Sequence, residues 1–243
     1  MCGLIGYVGL GKKENLARRL LIAGQRRGTH ATGYIEVAND GGFLLSKKAV
    51  SAKDFTEKFS LTSKAVTFLG HTRYATCGDP TNPKQAHPFN AQRYALMHNG
   101  WLSQTDWRMF EKKFGIRSPN GVDSEMFLSF LEKYGEIDIL RDEMLPLVSE
   151  SSRYMLIIYD KQLKRLHFMK DNQQDFCFTK LDQGGFIYAS TEAILLNASE
   201  KYLDINPQIL RFNPFTHWEI NPYNGEILSR NSIVNQKKLI LAV

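Results

Sequence analysis

Cys2 becomes the first residue of the chain once Met1 is removed, and an N-terminal cysteine carries a nucleophile and a base on one residue. Its thiol can attack a carbonyl carbon while its free α-amine, with a reference pKa of about 7.7 to 8.0, accepts the proton directly or through one water. By itself Met-Cys reads more readily as a small buried apolar residue opening a strand than as a nucleophile. Other residues with chemical potential are Arg73, Asp123, the Asn99-Gly100 pair and three histidines, His71, His87 and His98. Each also has an ordinary reading. Arg73 could sit in a structural salt bridge, Asp123-Ser124-Glu125 fits a helix N-cap, and Asn-Gly alone is a tight-turn signal. Arg27 could order backbone near Cys2 or interact with a helix end. The histidines lack a paired carboxylate or an H-x-x-x-H spacing on one helix, so no metal site is expected.

These residues need elements to position them. The apolar run from Cys2 to Val8, bounded by Gly9 and Gly11, predicts a strand. Leu16, Leu20, Leu21 and Ala23 recur at helical spacing from Glu14 until the pattern stops near Gly28. Tyr34 to Val37, Gly42 to Ser46 and Ala65 to Leu69 predict strands. The stretch from Gly70 to Phe89, with Gly78, Pro80, Pro83 and Pro88, predicts a functional loop. A strand at Tyr94 to Met97 precedes a helical block running from Trp107 to Leu147. Strands then follow at Tyr154–Tyr159, Leu166–Lys170, Phe176–Thr179 and Gly185–Ala189, next a helix from Glu192 to about Glu200, and strands at Ile209–Phe212 and His217–Ile220. Blocks of strands alternating with blocks of helices, without βαβ spacing, predict an α+β fold of antiparallel sheets. No linker or repeat is visible, so residues 1–243 are expected to form one domain.

Six segments in order carry a more specific signal. They are Cys2-Gly3-Leu4-Ile5-Gly6, Arg27-Gly28-Thr29-His30-Ala31-Thr32-Gly33, Gly70-His71-Thr72-Arg73-Tyr74-Ala75-Thr76, Ala86-His87-Pro88-Phe89, His98-Asn99-Gly100 and Asp123-Ser124-Glu125. In order and spacing they resemble the class II glutamine amidotransferases of the N-terminal-nucleophile hydrolase superfamily. Ala189-Ser190-Thr191-Glu192 resembles a strand-to-helix junction of the same family, so the resemblance covers most of the chain. It implies a four-layer αββα sandwich and a glutaminase that forms a γ-glutamyl thioester on Cys2. It implies that Arg73 binds the α-carboxylate of glutamine and Asp123 its α-ammonium, with Thr76 in a loop closing over the substrate. His87 then belongs to the substrate pocket, and Asn99 and Gly100 form the oxyanion hole. Arg27, Gly28 and His71 become structural support. Two departures stand out. His30 and Ala31 replace a common Asp and a small hydroxyl residue, so a hydrogen bond near the nucleophile is missing or remade. Gln104 stands where Asn is frequent.

Family enzymes usually join this domain to a synthase domain, yet the chain ends at Val243 and has no Walker A motif. A separate synthase chain is therefore expected to accept the ammonia. Two rivals keep the fold: an independent hydrolase of another γ-glutamyl or small amide substrate, and a catalytically silent binding protein. None of these requires a cofactor. Across 243 residues, 43% hydrophobic and 23% charged content fits a globular protein. No apolar run approaches the roughly 18 residues of a membrane span, and no secretory signal is visible. Three widely spaced cysteines, Cys2, Cys77 and Cys177, argue for reduced thiols and a cytoplasmic location rather than a disulfide framework. The net charge of +6 is scattered in groups such as Arg18-Arg19, Arg26-Arg27, Lys47-Lys48, Lys112-Lys113 and Lys237-Lys238, which disfavours nucleic-acid binding. The amine-base chemistry requires processing, so the intact mass of active protein should lack Met1. Full activity in protein that retains Met1 throughout would exclude the α-amine of Cys2 as base.

Overall fold

The computed structural model describes residues 2–202 and 207–234; Met1 and the Lys237-Lys238 pair lie outside the described residues. The first half contains β1 (Gly3–Val8), α1 (Glu14–Gly24), β2 (Ala31–Ala38), β3 (Phe43–Lys48), α2 (Ala52–Thr56), β4 (Ala65–Arg73), β5 (Phe89–Asn90) and β6 (Tyr94–Trp101). A helical block follows with α3 (Gln104–Phe114), α4 (Ser124–Tyr134), the single turn α5 (Ile137–Ile139) and irregular turns to Leu147. The chain returns to strands at β7 (Arg153–Asp160), β8 (Arg165–Lys170), β9 (Cys177–Lys180) and β10 (Phe186–Ala189). It continues through α6 (Glu192–Ser199), β11 (Leu210–Arg211), β12 (Thr216–Ile220) and β13 (Ile227–Ser232).

The strands form two antiparallel sheets, ordered β11-β9-β10-β1-β4-β2-β3 and β13-β12-β8-β7-β6-β5. Strand alternation sorts β1 between two apolar layers. Ile5 and Tyr7 pack outward with Leu16, Leu20 and Leu21 of α1, while Leu4 and Val8 pack inward with Met97, Met155 and Phe168 of the other sheet. The outer face of the second sheet, including Leu96, Leu156 and Ile158, is covered by Phe110, Phe127 and Phe130 from α3 and α4. Three apolar interfaces therefore separate four layers, an αββα sandwich in the α+β class. Burial on both faces explains why β1 and β7 read as nearly continuous apolar runs. Local signals end the helices: Ser103 accepts from the Asp106 amide to start α3, and Gly115 (φ 59°) and Gly135 (φ 82°) close α3 and α4 in the left-handed region.

Three sequence expectations require correction. The segment from Gly70 does not begin a loop, because β4 continues to Arg73 with Gly70 to Thr72 paired to β1 on one side and β2 on the other. Gly70 is there for close packing, since a Cβ would lie 2.4 Å from Ile5 Cδ1. The strand at Tyr94 likewise runs past Met97, so Asn99-Gly100 is extended backbone paired with Met155 and Tyr154 rather than a turn. Helix α2 and strand β13 carry too few periodic residues to be legible from the sequence and were not anticipated.

Phe168 of β8 touches Phe186 and Tyr188 of the facing sheet as well as Phe176 and Phe212, at ring-centroid distances of 5.3 to 6.4 Å. Phe168→Ala should cost about 3 to 5 kcal/mol in denaturant unfolding. A loss below about 1 kcal/mol would show that the aromatic cluster does not hold the sheets together.

Candidate active site

Cys2 lies immediately before β1, half-buried, and its sulfur donates to the Tyr74 carbonyl at 3.6 Å. Its own carbonyl accepts from Arg27 Nε at 2.6 Å. Gly28 lets the end of the first helical segment reach β4, since a Cβ there would meet the Arg73 carbonyl carbon at 2.2 Å. The next contacts fasten the same corner: the His30 amide donates to the Arg73 carbonyl at 3.0 Å, and the Ala75 amide donates to His30 Nδ1 at 2.9 Å. His30 also stacks on Tyr74 with centroids 5.1 Å apart. The imidazole of His30 thus supplies a hydrogen bond to the backbone that follows Arg73. Gln104 opens α3 in an exposed position, with no part in the site. Burial pushes the Cys2 thiol above its ordinary pKa, so it rests as a thiol at neutral pH.

Cys2, Arg73, Thr76, His87, Gly100 and Asp123 line one small cavity of about 20 Å³, which Cys77 and His98 also face. Arg73 is met by two carbonyls of the following loop rather than by a carboxylate: Nη2 donates to Cys77 O at 2.9 Å and Nη1 to Asp79 O at 3.1 Å. Asp123 caps α4 by accepting from the Ser124 amide at 2.8 Å, and accepts from the Leu102 amide at 2.9 Å with its other oxygen. Cys77 Sγ lies 3.8 Å from Asp123 Oδ1. The loop is held by Gln85, whose Nε2 donates to Asn120 O at 2.8 Å.

Asn99 is absent from the cavity wall, but strand alternation gives its direction. Met97 and Leu4 share the apolar layer between the sheets; Asn99 lies two residues after Met97 on the same face of β6, and Cys2 two residues before Leu4, just ahead of β1. Gly100 has φ 154°, and a Cβ there would overlap the Arg153 carbonyl oxygen at 2.0 Å, so only glycine fits. Asn99 Nδ2 donates to Gln174 Oε1 at 3.2 Å. Nothing in the local sequence marked Gln174, which approaches across the sheet from the turn after β8.

The histidines form the wall behind the cavity. His71 Nε2 contacts the His98 carbonyl at 3.1 Å, His98 Nδ1 contacts Ser124 Oγ at 3.0 Å, and the His71 and His87 rings lie 4.1 Å apart. Both ring nitrogens of His87 are buried without a hydrogen-bond partner. Burial lowers the pKa of His71 to about 3, and moves those of His87 and His98 down as well. Among the described residues, no three His, Cys, Asp or Glu side chains converge as metal ligands, and no helix is long and apolar enough to cross a membrane.

No protein-family model matches the sequence. The glutamine–fructose-6-phosphate aminotransferase (isomerizing) of Bacillus spizizenii is 25% identical over 239 residues, covering 96% of this chain and 39% of that protein. Its counterpart from Bacillus subtilis strain 168 is 24% identical over 239 residues with the same coverage. The chain thus spans well under half the length of these curated relatives. Among solved structures, the glutamine phosphoribosylpyrophosphate amidotransferase of B. subtilis superposes with a TM-score of 0.74 at 18% identity, over 96% of this chain and 49% of that one. A class-II glutamine aminotransferase domain protein from Silicibacter pomeroyi gives 0.59 at 12% identity, over 96% of this chain and 99% of its own. The two-sheet architecture is the fold of these solved amidotransferase structures. In sequence the chain is similar to the glutamine–fructose-6-phosphate aminotransferases over nearly its whole length.

The buried histidines make stability depend on pH. Burial holds the His71 pKa down at about 3 in the folded chain, against its ordinary 6.5 when exposed by unfolding, so between these values the unfolded chain binds more protons. Their stabilising effect is complete above about pH 6.5 and is lost as pH falls towards 3, with His217, held at about 4, acting in the same direction. The thermal midpoint should therefore drop steadily from about pH 7 to about pH 4. A flat profile across that window would show that these rings are not buried neutral.

Proposed function

We propose that this chain hydrolyses the side-chain amide of glutamine to glutamate and ammonia through a thioester on Cys2. The observation that carries this reading is the convergence of a thiol, a guanidinium, a carboxylate and a glycine amide on one cavity. Arg73 binds the α-carboxylate through its planar fork, and Asp123 binds the α-ammonium, with Thr76 and His87 completing the pocket. The Cys2 sulfur attacks the amide carbon as its proton passes to the Cys2 α-amine. The developing oxyanion is held by Asn99 Nδ2 and the Gly100 N–H. The amine then protonates the leaving nitrogen, ammonia departs, and water attacks the thioester with the same amine as base, giving glutamate and the free thiol. No cofactor enters these steps.

The loop carbonyls that fill the Arg73 fork exchange for substrate, because a carboxylate brings a full opposite charge in bidentate geometry where the carbonyls offer only neutral acceptors. Residues 1–243 act in this reading as a single glutaminase domain in the cytoplasm, delivering ammonia to a separate acceptor-activating synthase.

Cys2→Ala should abolish glutamine hydrolysis, whereas Cys177→Ala should leave it largely intact. Losing a charge-assisted hydrogen bond costs about 1.5 to 3 kcal/mol, so Arg73→Ala and Asp123→Ala should each lower kcat/KM by roughly 10- to 150-fold. Asn99→Ala should instead lower kcat by about 100- to 1000-fold with little change in KM. Turnover of glutamine at the parental rate by both clamp variants would refute the glutamine assignment and leave Cys2 serving another amide.

A further inference from the structure

We infer that Gln174 is a positioning residue for the oxyanion hole, orienting the Asn99 carboxamide towards the Cys2 sulfur. The inference rests on the assignment of Asn99 as an oxyanion donor and extends it to a residue that does not line the cavity. The Asn99 carboxamide is buried, and its oxygen has no hydrogen-bond partner. Among the described residues its one hydrogen bond runs from Nδ2 to Gln174 Oε1. A carboxamide nitrogen carries two N–H groups. With one committed to Gln174, the amide plane is fixed and the second N–H is left for charge that develops on the substrate oxygen.

Gln174 is itself anchored, and its anchor reaches the other donor. Its backbone amide donates to Asp171 Oδ1 at 2.9 Å, as does that of Gln173 at 2.8 Å. The second oxygen, Asp171 Oδ2, accepts from the Tyr154 amide at 2.7 Å, and Tyr154 is the strand partner of Gly100. Asp171 also donates its own amide to the Tyr154 carbonyl at 3.0 Å. One buried carboxylate therefore fixes the turn that carries Gln174 and the strand position that faces Gly100. Both donors of the oxyanion hole are referred to the same anchor, so their spacing is set before substrate arrives, as electrostatic preorganisation requires.

The length of glutamine matters here. Its carbonyl reaches Asn99 from a turn 75 residues away in sequence, where alanine would leave the carboxamide free to rotate. Methionine would preserve the bulk while offering only a weak acceptor.

The experiment is steady-state glutaminase kinetics on Gln174→Ala, Gln174→Met, Asn99→Ala and the Asn99→Ala/Gln174→Ala double variant. Both Gln174 variants should lose about 5- to 30-fold in kcat while KM for glutamine stays within about twofold, since the interaction is felt as oxyanion charge develops. In the Asn99→Ala background, Gln174→Ala should cause no further loss, because its effect passes through Asn99. Unchanged kcat, an equal penalty in both backgrounds, or a penalty confined to KM would overturn the inference while leaving the glutaminase reading standing. A parent protein without glutaminase activity would overturn that reading instead. Crystal structures of the parent and Gln174→Met then decide the positioning role: a reoriented Asn99 carboxamide supports it, and an unmoved one overturns it.

Discussion

The register between β1 and β4 is the constraint on which the site depends. Gly3 pairs with Thr72 and Leu4 with His71, so the residue before β1 meets the end of β4, where Arg73 and the Tyr74 carbonyl stand. That register is enforced by the core. Leu4 fills the layer between the sheets and Ile5 the layer under the helices, and a slip by one residue would exchange them. It would also turn Cys2 away from the inter-sheet face that it shares with Asn99. The bonds from Arg27 to the Cys2 carbonyl and from the His30 amide to the Arg73 carbonyl then fasten a corner that core packing has already aligned.

Charged groups in a buried pocket need partners whether or not a ligand is bound, and this fold supplies them from the chain itself. Arg73 is satisfied by the Cys77 and Asp79 carbonyls, and Asp123 by two amides. The internal partners are neutral, whereas an amino acid brings full charges of the complementary sign. In the proposed reading, binding is an exchange of neutral for charged partners, with the loop from Tyr74 to Gln85 as the part that must yield. In the proposed binding mode Asp123 is helix cap and ligand group together, and its two oxygens meet the Ser124 and Leu102 amides before substrate arrives.

Much of this was legible because the chemistry and the pattern coincide in local sequence. The apolar runs of β1, β4, β6 and β7 gave the two sheets, and the ordered segments around Cys2, Arg73 and Asp123 marked the cavity. What escaped was set by tertiary packing. Gly70 reads as punctuation, but the neighbour that requires it, Ile5, lies on another strand. Asn99-Gly100 reads as a turn because its pairing with Met155 and Tyr154 of β7, which keeps it extended, is made to residues far along the chain. Gln174 and Asp171 were invisible for the same reason, since a glutamine two residues past an Asp-Asn turn has no local feature that marks it out. His30 was recognised as a departure, and its bond to the Ala75 amide could not be inferred without the fold.

The histidine wall bears directly on which group takes the thiol proton in the proposed mechanism. A cysteine with a raised pKa needs a base, and the imidazoles of His87 and His98 line the cavity with His71 packed against them. A useful base must be stable with the proton on it. Burial disfavours the imidazolium form of all three, and the Arg73 charge adds to that penalty at His71 and His87. His71 and His98 are further committed to the His98 carbonyl and Ser124. A proton moved from the Cys2 sulfur to any of these rings would create a cation in the driest part of the site. The α-amine of processed Cys2 has a reference pKa of about 7.7 to 8.0 and sits on the nucleophile's own residue, so it takes the proton without charging the wall. Neutral histidines behind the pocket and an amine base at its edge are therefore one arrangement: the wall keeps the cavity shaped and uncharged, and the chain terminus supplies the proton chemistry that the wall cannot.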